Sequence, residues 1–74
     1  MKLRQIAANQ TEITTVRDDV VLYSYSTPVA AFVAGEGYVR TEEKYGQTTT
    51  RHINKWLNGV EAAFVPQDDI NALV

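Results

Sequence analysis

Thr48-Thr49-Thr50-Arg51-His52-Ile53-Asn54-Lys55-Trp56-Leu57-Asn58-Gly59 is the stretch on which the fold turns. Thr49, Ile53, Trp56 and Leu57 fall at the three- and four-residue spacing that puts side chains on one face of an α-helix, and Val60 continues the series. Arg51, Asn54, Lys55 and Asn58 take the other face. A hydroxyl of Thr48, Thr49 or Thr50 can accept an amide hydrogen bond at the helix start, and Asn58-Gly59 suits the left-handed geometry that closes a helix. The pattern predicts an amphipathic helix over Thr49 to Leu57. Trp56 is the only tryptophan and reads as core, so truncating it to alanine should cost about 3 to 5 kcal/mol.

Beyond this helix, Pro66-Gln67-Asp68-Asp69 places a proline and two carboxylates where a helix N-terminus favours them. Ile70, Leu73 and Val74 then form an apolar patch, which predicts a short C-terminal helix. Before the central helix the period is two. Glu12-Ile13-Thr14-Thr15-Val16 and Val20-Val21-Leu22-Tyr23-Ser24-Tyr25 are β-prone, and Arg17-Asp18-Asp19 between them suits a turn. In the second run Val21, Tyr23 and Tyr25 alternate with Val20, Leu22 and Ser24, and the polar end at Ser24 and Ser26 points to a covered tyrosine face. Thr27-Pro28 fits a strand edge or a strand start, since proline lacks the amide donor. Val29 to Ala34 and Tyr38 to Thr41 pair as a second hairpin about Gly35-Glu36-Gly37, whose glycines tolerate positive φ. Leu3 to Ile6 adds a candidate strand made of weaker β formers. The expected fold is α+β: a small antiparallel sheet of about four strands, then the amphipathic helix and the short C-terminal one.

A chain of 74 residues has room for one domain, residues 1–74, and one small core. With no cysteine it has no disulfide or thiolate metal site, and that absence favours the cytoplasm over a secreted setting. Gln5, Asn9, Gln10 and Glu12 interrupt the apolar run that a signal peptide would need after Lys2 and Arg4. The longest nearly apolar stretch, Pro28 to Ala34, is far shorter than the about twenty residues of a membrane-spanning helix, so no membrane partner is expected. A formal charge of −2 disfavours generic coating of a polyanion, although Arg40, Lys44, Arg51 and Lys55 gather basic charge locally.

The motifs of catalysis are missing. The single histidine, His52, sits on the flank of the helix without a cysteine or second histidine, and no nucleophile-elbow pattern surrounds the many hydroxyls. Asp18-Asp19, Glu42-Glu43 and Asp68-Asp69 are sequence neighbours, which strands and helices turn away from each other. Gly35-Glu36-Gly37 lacks the third glycine and following helix of a dinucleotide loop. The expectation is a protein that is not an enzyme and uses no catalytic residue, cofactor or metal. Exposed groups remain: Tyr45 and Arg40 beside the helix, and Arg51, Asn54 and Lys55 on its outer face, form the candidate binding set.

Asn9 to Ile13, Tyr23 to Ala31, Thr48 to Leu57 and the ending Pro66 to Asp69 together resemble a group of short uncharacterised proteins of tailed bacteriophages, a domain of unknown function. The likeness spans nearly the whole chain and implies origin more than activity; no site is carried over from it. It implies work in the cytoplasm of an infected host, on a host or phage macromolecule. The favoured expectation is a protein-binding regulator, for example of host transcription or defence. It would use the tyrosine-bearing sheet, an exposed edge near Pro28 or the polar helix face. The alternative is a nucleic-acid-binding module in which Thr48, Thr50, Arg51, Asn54 and Lys55 grip phosphates or enter a groove. Open sheet edges allow a monomer or a homodimer.

Overall fold

The computed structural model describes residues 2–74. In chain order it contains β1 (Lys2–Ala7), β2 (Gln10–Thr14), β3 (Val20–Ser24), β4 (Thr27–Val33), β5 (Gly37–Thr41), α1 (Gln47–Leu57), β6 (Ala63–Val65) and α2 (Gln67–Asn71). The α+β class and both helices are as expected. The sheet is larger than the expected four antiparallel strands: it has six, side by side in chain order. The first five form an antiparallel meander, and β6 lies parallel to β5, so the sheet is mixed. Parallel neighbours need a crossover, and α1 is that crossover.

Residue alternation divides the sheet into two faces. Across the strands, Arg4, Glu12, Leu22, Ala30, Arg40 and Phe64 are successive partners and share one face. Leu3, Ile13, Val21, Ala31, Val39 and Ala63 are partners on the other. On the first face α1 buries Ile53 and Leu57 against Leu22, Val29 and Ala30. On the second, α2 buries Ile70 against Val21 and Ala31, with Tyr23, Val39, Val65 and Leu73 around it. A helix covers each face, which is why Val21 and Leu22 are both 0% exposed although they point in opposite directions.

This two-sided cover corrects the expected facing of β3. The tyrosine face is covered, by α2, but the serine face is covered as well: Ser24 is 2% exposed beneath α1. Its hydroxyl can lie there because Thr49 Oγ1 is 3.2 Å away and His52 Nδ1 is 2.7 Å away. Tyr25 is not a strand residue at all; at φ 58° it forms the tight turn into β4, exposed, with its N–H donating to the Asn9 carbonyl at 2.7 Å. Pro28 is the second residue of β4, the strand start that its missing amide allows, next to a bulge opposite Leu22 and Tyr23. Because β4 is an interior strand, no exposed edge lies at Pro28, and the open edges belong to β1 and β6.

The boundaries shift for local reasons. Val16 falls in the β2–β3 turn and is exposed, because Thr15 leaves the ladder to accept Asp18 N–H and donate to the Asp19 carbonyl. Asp19 is 4% exposed, and its Oδ1 accepts the Ala34 N–H at 2.9 Å. It thereby ties this turn to the tip of the β4–β5 hairpin, where Gly35 and Gly37 take positive φ as expected. α1 begins at Gln47, before the three threonines, with Gly46 as N-cap at φ 121° and no side-chain cap; the Thr50 hydroxyl donates back to the Gly46 carbonyl at 3.0 Å. Asn58 and Gly59 end it in left-handed geometry, as the sequence suggests. Val60 therefore lies past the helix and is exposed, not part of its apolar face.

Candidate functional site

A concavity lies where the N-terminal half of α1 meets the β5–α1 loop and the β5–β6 edge. Its volume is about 550 Å³, and Arg40, Tyr45, Thr49, Arg51, Ile53 and Phe64 contribute to its wall along with the 42–47 loop. Thr41, Thr49 and Ile53 are the buried residues on that wall, at 3%, 8% and 3% exposure. Phe64 and Tyr45 are exposed aromatics, a composition common at binding hot spots.

Arg40 organises the cleft. It stands on β5 directly opposite Phe64 of β6, and its guanidinium carbon is 4.8 Å from the Phe64 ring centre. That distance is within the range of a cation–π contact. Its Nη1 donates to Asn54 Oδ1 of α1 at 3.1 Å. The Nε hydrogen is buried and has no partner among the described residues. A planar fork held between an aromatic ring and an amide is rigid, so it presents its remaining donors with little further loss of side-chain freedom.

At the head of the same cleft, α1 starts without a side-chain cap and without an acidic residue in its first turn. Its first amides, which have no acceptor within the helix, therefore add partial positive charge beside Arg51. Glu42, Glu43 and Lys44 on the loop bring both signs to the rim.

The expected binding residues divide. Arg40, Tyr45 and Arg51 line the cleft, and Asn54 joins it through Arg40. Lys55 does not: it lies on the other side of α1, on the wall of a smaller cleft of about 270 Å³ with Arg4, Ile6 and Trp56. The polar face of α1 is wider than one cleft, so two residues next to each other on it serve different surfaces. Phe64 was outside the expected set. It sits in the three-residue β6, where no alternation long enough to read exists, and only the parallel pairing brings it opposite Arg40.

Trp56 departs from its expected role, whereas His52 keeps the boundary position expected of it. Trp56 is half-buried at the rim of the α1 layer, and its Nε1 donates to Glu12 Oε2 at 2.7 Å. Glu12 Oε1 in turn accepts from Arg4 Nη2 at 2.9 Å. His52, expected at the boundary of the helix faces, is half-buried with its Nδ1 on Ser24. A serine hydroxyl and an imidazole nitrogen at 2.7 Å have the spacing of a nucleophile and its base. Ser24 is nevertheless sealed under α1 at 2% exposure, so a substrate would reach it only if the helix lifted. The pair with Thr49 is best understood as a polar tie between helix and sheet. Among the described residues, no group of three or more His, Cys, Asp or Glu side chains is placed to hold a metal ion, and no helix is long and apolar enough to cross a membrane.

Searches of curated proteins and of solved structures return no match. The sequence profile of one family, described as a family of unknown function, covers residues 1–72. That match spans both edges of the sheet, both helices and every wall of the cleft, and the chain belongs to this family, DUF8033.

Proposed function

We propose that this chain is a binding protein without chemistry of its own, and that the Arg40–Phe64 cleft takes a segment of a protein partner. The observation that carries this reading is the pairing of exposed aromatics with a braced arginine over a largely apolar floor. Tryptophan, tyrosine and arginine dominate binding energy at protein interfaces because they combine large contact area with directional polar groups. The resemblance to small tailed-phage proteins supports a phage origin and a regulatory role in the cytoplasm of the infected host, on host transcription or defence machinery. The unpaired outer edge of β1 supports a homodimer as an additional state.

Two features favour nucleic acid as a second reading. An uncapped helix start with Thr50 and Arg51 beside it suits a phosphate, and a ring already stacked on an arginine suits a base. Affinity capture from host lysate with and without nuclease separates the two, using the native chain beside Arg51→Ala and Phe64→Ala variants. A protein partner retained after nuclease and lost with the variants supports the first reading. Capture that vanishes on nuclease treatment, with binding to purified nucleic acid that weakens as salt rises, supports the second. Capture indifferent to both variants removes the cleft from either.

A further inference from the structure

On the same sheet face, away from the Arg40 cleft, three aromatic rings border a further concavity. Val20 of β3, Phe32 of β4 and Tyr38 of β5 are consecutive cross-strand partners, so their side chains share the face covered by α1. With Trp56 of α1 and Glu12 of β2 they enclose about 330 Å³. The Phe32 and Tyr38 ring centres are 4.9 Å apart with planes at 56°, and those of Tyr38 and Trp56 are 5.8 Å apart at 71°. Rings that meet at such angles form a corner, not a flat stack.

Glu12 is the one charged residue on the wall of this corner. Its carboxylate is held in place by Trp56 Nε1 at 2.7 Å and by Arg4 at 2.9 Å. Two oxygens with about four acceptor positions retain capacity beyond these two bonds. Arg4 does not fill the space. Its side chain is 73% exposed and lines the neighbouring cleft, so its hold on Glu12 is screened by water. The faces of aromatic rings carry negative potential, and a carboxylate adds to it; a weakly hydrated organic cation is the ligand class that benefits from both. An inorganic ion would lose its water shell to the rings without replacement, and a neutral apolar group would leave the carboxylate unused.

We propose that the Phe32–Tyr38–Trp56 corner, closed by Glu12, is a binding site for an alkylated ammonium group. The group comes either from a free small molecule or from a modified lysine of a protein, and both share the chemistry that the corner recognises.

The test uses the full chain, with Trp56 fluorescence and the indole N–H resonance as readouts. Tetramethylammonium chloride and choline chloride are titrated against sodium chloride at matched ionic strength. Dimethylbutanol, which replaces choline's nitrogen with carbon, serves as the neutral control. A saturable Trp56 response to both cations is expected, absent with sodium and weaker by about tenfold with the neutral analogue. Glu12→Gln keeps an acceptor for Trp56 but removes the charge, and should weaken cation binding about tenfold. Arg4→Gln removes the competing cation and should tighten it. Tyr38→Leu should weaken it, with thermal melting confirming that each variant is folded. A peptide carrying trimethyllysine, compared with choline, identifies the source of the group by which binds more tightly. Equal affinity for the neutral analogue, or no response beyond that to sodium chloride in the folded native chain, overturns the proposal.

Discussion

Ile70→Ala tests whether the two layers of this small protein stand or fall together. Ile70 is 0% exposed and is the one buried residue that the five-residue α2 contributes. So short a helix has almost no stability of its own; it stays in place because Ile70 fills the space over Val21 and Ala31. Alanine removes three carbons, about 2.4 kcal/mol at ~0.8 kcal/mol each. The cavity left over the sheet brings the cost to about 3 to 4 kcal/mol. A chain of this length has about 4 to 11 kcal/mol in all, so the variant should be close to unfolding. The assay is urea denaturation followed by Trp56 fluorescence, which reports from the opposite face of the sheet. At a slope of about 1 kcal/mol per molar, the midpoint should fall by about 3 M, while Ile70→Val should lose only about 1 M. If Trp56 keeps its native midpoint while amides of α2 exchange freely, α2 is an independent flap, and the reasoning that couples the layers through β3 and β4 is wrong.

Trp56→Phe keeps most of the packing but removes the bond to Glu12, and should cost about 1 to 2 kcal/mol by thermal unfolding. Trp56→Ala should cost about 2 to 3 kcal/mol, less than a fully buried tryptophan would, because part of the ring is already in solvent. Asp19→Ala removes the acceptor of the Ala34 N–H and should cost about 0.5 to 1.5 kcal/mol. Asp19→Asn retains an oxygen there and should lose much less, with the contrast read in Ala34 amide exchange. In a double-mutant cycle on Arg40 and Phe64, alanine substitutions should show a coupling of about 0.5 to 1 kcal/mol in stability. A coupling near zero would mean that the stacked pair does not brace the cleft.

Local sequence was a good guide wherever a periodic run was long enough to read. α1 was legible from Ile53 and Leu57 and from the left-handed close at Asn58, and α2 from Pro66 with the two aspartates behind it. The β4–β5 hairpin was legible from its glycines. The failures share a cause. β6 is three residues long, too short to show alternation, and its pairing depends on where α1 delivers the chain. The start of α1 was misplaced because the threonines offered caps, while Gly46 satisfies the turn through its backbone geometry instead. Ser24 was assigned to the open face because a hydroxyl looks like solvent exposure until a helix supplies Thr49 and His52 as partners.

The candidate sites divide in the same way. The residue types available for binding are visible in the sequence. Which of them meet is not, because Arg40 and Phe64 are far apart along the chain and become neighbours only through a parallel strand pairing. The same holds for Glu12 and Trp56, joined across β2 and α1 by one hydrogen bond. Periodicity and turn chemistry are local, and they determined the helices, the hairpins and the apolar stripes. Strand order, the two-sided cover of the sheet and the concavities depend on contacts between distant segments, and only the tertiary structure decided them.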